Sequence, residues 1–108
     1  MIALSHTTAL LLDHKTGTVR PVEYDGELDT LRSLLGVDLV DADMLDKKVI
    51  VFFDDGFLYK GYEIGFEVNY KKSKVQFCGS GLITGDSAGR NAPLSINHGE
   101  LIINVIKL

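Results

Sequence analysis

Ser80, Thr84, Ser87, Arg90 and Asn91 place hydroxyl, amide and guanidinium groups within one glycine-rich stretch, residues 79–91. Such groups can line a backbone nest that holds an anion. Arg90 is the only lysine or arginine of the stretch, and its planar fork matches phosphate oxygens. The established phosphate motifs do not fit. A dinucleotide fingerprint starting at Gly79 requires glycine at position 84, which is Thr84, and a P-loop requires Gly-Lys-Ser/Thr, which the chain lacks. No clear helix follows to supply N-terminal amides. Two readings remain: a strand bracketed by glycines with its turn, or an improvised site for a small phosphorylated ligand such as a nucleotide signal.

Tyr70, Lys71, Lys72 and Lys74 form a second cluster, a basic and aromatic hairpin tip. Such a tip suits nucleic acid or an acidic protein surface. The plainer alternative is a charged, solvated turn.

Other chemistries have weaker support. His6, His14 and His98 show no spacing that puts two metal ligands on one element. Cys78 ends the strand-like run Val75, Gln76, Phe77, Cys78, where a lone cysteine serves as a small buried hydrophobe rather than a nucleophile. Asp41 and Asp43 share one strand face and could join Asp54 and Asp55 around Mg²⁺. Aspartates on a solvated face, guarding a sheet edge, are the simpler account. The expectation is therefore no catalytic set, no metal and no cofactor.

The elements that carry these residues follow from pattern. The short apolar run of residues 8–13 and the alternation from Thr18 to Tyr24 flank a turn at Gly17, predicting a hairpin whose second strand, holding Pro21, lies at an edge or carries a bulge. Leu28, Leu31, Leu34 and Leu35 recur on one helical face, predicting a helix over 27–35 with Asp25 as N-cap and Gly36 as C-terminal stop. Residues 37–45 alternate, and Val49 to Phe53 reads as a strand covered on both faces. Asp54, Asp55 and Gly56 turn the chain, with Phe57, Leu58 and Tyr59 pairing back. Val68 to Tyr70 and Lys74 to Cys78 make another hairpin, and Leu82 and Ile83 a short buried strand.

Residues 97–108 conflict. Ile102, Ile103, Val105 and Ile106 favour a strand, whereas Asn97 and Glu100 have capping-box spacing and Glu100, Asn104 and Lys107 form a helical polar stripe. The expectation leans to a C-terminal helix. Together these elements predict a single α+β domain over residues 1–108: a mainly antiparallel sheet with one short packed helix and a second at the C-terminus.

At 108 residues and 45% hydrophobic content, the chain supports one domain with a real core. A domain this small gains from oligomerisation. The net charge of −4 and pI near 5.2 argue against reliance on DNA backbone contacts. A lone cysteine and the lack of a signal-peptide or membrane-span pattern lead to the expectation of a cytoplasmic protein with no membrane contact.

The order of hairpin, short helix, "LLGVDLVDADML", strand, "FDDGFL" and "FCGSGLITGDSAG" resembles domain-of-unknown-function family 3846, small proteins of bacteriophages and mobile elements. The matching features fall on residues 31–41, 53–58 and 79–89, and the resemblance spans most of residues 10–97. The Lys-rich hairpin between Tyr59 and Gln76 departs from it. The family assigns no catalytic residues. The resemblance implies a phage or plasmid setting and a role in host takeover or counter-defence. The leading expectation is thus a non-enzymatic protein that binds and inhibits a host defence protein through residues 60–74. The alternatives are a binder that sequesters a nucleotide through Arg90, or a minor enzyme or DNA-associated regulator.

Overall fold

The computed structural model describes residues 7–56, 60–96 and 98–108. His6, Asn97 and the strand expected at Phe57, Leu58 and Tyr59 lie outside them. The order is β1 (Thr7–Asp13), β2 (Thr18–Tyr24), α1 (Leu28–Leu35), β3 (Val40–Asp46), β4 (Val49–Asp54), β5 (Ile64–Tyr70), β6 (Ser73–Cys78), β7 (Gly81–Ser87), β8 (Arg90–Ala92), a 3-10 turn (His98–Glu100) and β9 (Leu101–Lys107).

Six strands form a large sheet ordered β2-β1-β7-β4-β3, with β8 also paired to β7; β6-β5-β9 form a small sheet. Every pairing is antiparallel. The two sheets face each other across the main core, in which Leu12, Val49, Val51, Phe53 and Ile83 meet Phe66, Val68, Tyr70, Val75 and Phe77. Strand alternation sends Ala9, Leu11 and Leu82 to the opposite face of the large sheet. There they pack with Leu31, Leu35 and Val37, so α1 covers that face. β4 and most of β7 are buried on both sides, which explains the continuous apolar run Val49 to Phe53 and the adjacent pair Leu82 and Ile83.

The helix runs Leu28–Leu35 and ends at Gly36, whose amide donates to the Arg32 carbonyl at 2.8 Å and whose φ of 69° turns the Val37 amide back onto the same carbonyl at 3.1 Å. Two details differ from expectation. Leu28 is half exposed, and Leu31 and Leu35 make the buried stripe. Glu27 occupies the N-cap without a side-chain bond, while Asp25 accepts from the Glu27 amide at 2.9 Å and the Thr30 hydroxyl at 2.8 Å.

Where a helix is expected over residues 97–108, the structure has a 3-10 turn at His98–Glu100 and a strand at Leu101–Lys107. β9 pairs with β5 from Leu101 opposite Tyr70 to Lys107 opposite Ile64. Its alternate residues Leu101 and Ile103 pack against the main core. The β-branched run thus finds the open edge of β5, which takes the backbone groups on one side of it, and tertiary pairing decides the segment. The polar stripe is coincidental, since Asn104 bonds across the sheet to Glu67 at 3.3 Å. Among the described residues no helix is long and apolar enough to cross a membrane.

Candidate functional site

The five residues expected to cradle a phosphate do not form one site: Thr84 bonds to Asn91, Ser87 pairs with Arg90 across the turn, and Ser80 lies at the far end of β7. Residues 79–91 are mostly β7, a tight turn and β8, not a loop. Ser80 and Ser87 lie at opposite ends of β7, about 23 Å apart at the usual rise per residue. Thr84 is buried mid-strand and donates to Asn91 Oδ1 at 3.1 Å; Asn91 Nδ2 donates to the Tyr24 carbonyl at 3.1 Å. Those two side chains tie β8 to the end of β2 beside a cavity of about 80 Å³. Only Ser87 and Arg90 remain exposed together at the turn. Alternation within a strand and burial of Thr84 therefore dismantle the proposed nest.

The lysine tip is also rearranged. Tyr70 is only 3% exposed and belongs to the main core rather than to a contact surface. Lys71, in the left-handed region at φ 54°, reaches Asp46 at 2.8 Å. That hydrogen bond holds the Asp46 carboxyl below its ordinary range and raises Lys71. Lys74 lies 3.9 Å from Glu67, whose carboxyl is held low by bonds from Asn69, Gln76 and Asn104.

Topology nevertheless brings the two candidate regions to the same end of the sandwich. The bond between Lys71 and Asp46 joins the β5–β6 turn to the β3–β4 turn, which carries Lys47 and Lys48. The Asp86 amide donates to the Lys48 carbonyl at 2.9 Å, setting the β7–β8 turn with Arg90 alongside. Three turns thus converge with Lys47, Lys48, Lys71, Lys72, Lys74 and Arg90, against Asp46, Glu67, Asp86 and Glu100. Lys47, Lys48, Lys72 and Arg90 are exposed and form no ion pair among the described residues. The result is a local basic end on an acidic chain. The place of Lys47 and Lys48 in this cluster has no local signal in the sequence, because nothing local shows which turns will be neighbours.

The opposite end holds a polar cleft of about 340 Å³, lined among others by Asp13, His14, Lys15, Arg20, Ser33, Tyr62 and Ser80. The Ser80 hydroxyl accepts from the His14 amide at 3.1 Å and lies 2.7 Å from His14 Nδ1. If Ser80 donates its proton to Nδ1, the imidazole proton sits on Nε2. The His14 ring meets Tyr62 edge-on at 5.0 Å, and the Tyr62 hydroxyl donates to Asp54 at 2.7 Å. A serine and histidine in contact suggest nucleophile and base. Here Ser80 is buried and engaged twice by one residue, and the nearby carboxylate of Asp54 grips Tyr62 rather than orienting the imidazole. The arrangement clamps the β1–β2 turn to the start of β7.

Asp54 anchors this end. Burial pushes its carboxyl up, but the Tyr62 hydroxyl, the Gly56 amide and Lys60 outweigh it and hold the group below its ordinary value. Burial and the bond to Asp54 push Tyr62 up to about 12. Tyr62→Phe leaves a carboxylate of 1% exposure short of one donor. It should lower stability by about 1.5–3 kcal/mol, read as a fall in the urea midpoint. Because the folded value is depressed, Asp54 contributes its stability above the unfolded value near 3.9 and loses it as pH falls through the lower folded value. Wild-type stability should therefore drop below about pH 4, with a shallower drop in Asp54→Asn.

Asp41 and Asp43 are exposed on edge strand β3. Cys78 is half-buried, and burial raises its thiol, which disfavours the thiolate at neutral pH. No protein-family model, curated protein or solved structure matches this chain.

Proposed function

We propose that this chain is a non-enzymatic binding protein that grips an acidic surface of a host protein through its basic end. The observation that carries this reading is the convergence of three turns that leave Lys47, Lys48, Lys72 and Arg90 exposed without acidic partners. Cations held on tight hairpin turns are positioned by the sheets behind them, so little backbone ordering is needed on binding. Their field also speeds encounter with an acidic partner and rejects basic ones. The resemblance to the phage family supplies the setting, host takeover or counter-defence, in which inhibition by capture has a use.

The test is capture of host proteins on immobilised wild type and on a variant with Lys72→Glu and Arg90→Glu. The variant should lose at least about tenfold in affinity for the captured protein, about 1.4 kcal/mol. Wild-type capture should weaken as salt rises. Equal capture by both at low and high salt would refute the reading. A second reading, sequestration of a phosphorylated small molecule, keeps only Ser87 and Arg90 of its original residues exposed on this end. A thermal shift with inorganic phosphate or nucleotide that vanishes in Arg90→Ala would favour it.

A further inference from the structure

Among the described residues, nothing guards one edge of the small sheet. Natural sheets blunt their edges with charge, proline or bulges. β2 carries Arg20, Pro21 and Glu23; β3 carries Asp41, Asp43 and a register shift between Met44 and Asp46; β6 carries Lys74 and Gln76. β9 has none of these from Leu101 to Ile106, and its register with β5 is unbroken. Ile102, Val105 and Leu108 are 56%, 44% and 63% exposed.

The direction of its free backbone groups follows from one bond. The Leu108 amide donates to the Glu63 carbonyl at 2.8 Å. Hydrogen-bonded pairs alternate along an antiparallel ladder. Ile102, Asn104 and Ile106 therefore bond to β5, and the N–H and C=O groups of Leu101, Ile103, Val105 and Lys107 point away from it. Among the described residues no other backbone bond reaches them.

We propose that this edge pairs with β9 of a second copy, antiparallel about a two-fold axis at Asn104. The register is self-complementary. Asn104 meets Asn104 of the second copy, Ile102 meets Ile106, and Ile103 meets Val105. The charges choose the direction, because antiparallel pairing brings the Glu100 end of one strand to the Lys107 end of the other, whereas parallel pairing stacks like on like. The outward groups of Leu101, Ile103, Val105 and Lys107 then bond to one another, and two small sheets become one continuous sheet of six strands. This proposal is independent of the basic end.

The test is sedimentation over a concentration series. Wild type should approach twice 11.9 kDa. Ile102→Lys with Ile106→Lys sets lysine against lysine across the axis and should weaken association at least tenfold. Ile102→Lys with Ile106→Glu sets lysine against glutamate and should restore it. Amide exchange on wild type gives a readout that needs no variant: Ile103 and Val105 should become protected as concentration rises. A mass of 11.9 kDa at every concentration, with those amides exchanging fast throughout, would overturn the proposal. A dimer indifferent to both double variants would overturn it too, as would association of wild type only with a different protein.

Discussion

Phe66→Ala should cost about 3–5 kcal/mol of folding stability, the usual range for deleting a fully buried phenylalanine ring. Phe66 is 0% exposed on the middle strand of the small sheet. It pairs with Phe77 on one side and Val105 on the other, and its ring centroid lies 6.1 Å from that of Phe77. Phe77 in turn stacks on Phe53 of the large sheet at 5.2 Å. Removing Phe66 opens a cavity where the two sheets meet, and the neighbouring rings, fixed by their strands, collapse into it only partly. For a domain whose whole stability is about 5–15 kcal/mol, that is a large share. Urea denaturation should show a much lower midpoint with little change in slope. An unchanged midpoint would mean that the two sheets do not pack through this ring.

Leu31→Ala is the second large effect, expected at about 2–5 kcal/mol. Leu31 is 2% exposed and sits with Leu35 between α1 and the large sheet, against Ala9, Leu11 and Leu82. An eight-residue helix has little stability of its own, so its order depends on this face. The loss should appear in urea and as faster amide exchange across α1. Leu28→Ala, half exposed on the same helix, should change the midpoint far less. Equal effects from the two variants would show that the buried stripe is assigned to the wrong face.

The local elements were legible wherever one periodicity dominated. The leucine spacing placed α1 to within one residue, and of the edge or bulge that Pro21 called for, the edge is what β2 occupies. The hairpin around Lys71 and Lys72 was recognised, although its strands are longer than the apolar core of the pattern suggested. Failure came where two patterns overlapped. In residues 97–108 a helical polar stripe coexists with a β-branched run, and only the waiting edge of β5 decides between them.

The candidate site was less legible, for a topological reason. Ser80 and Arg90 are close in sequence yet lie toward opposite ends of β7, while Asp46 and Lys71, distant in sequence, touch. Tyr70 looked like an exposed aromatic beside lysines, but the inward phase of β5 buries it. His14 and Ser80, 66 positions apart, carry no local spacing that announces their contact.

The central claim is that the basic end, rather than net charge or the cleft, holds the partner. It is tested most directly by calorimetry of the captured host protein against two variants with the same total charge. One carries Lys48→Glu and Lys72→Glu at the basic end. The other carries Lys15→Glu and Arg32→Glu, beside the polar cleft and late in α1. The first should lose at least about tenfold in affinity and much of the salt dependence, while the second stays within about twofold of wild type. Equal losses in both, or a loss confined to the second, would contradict the account.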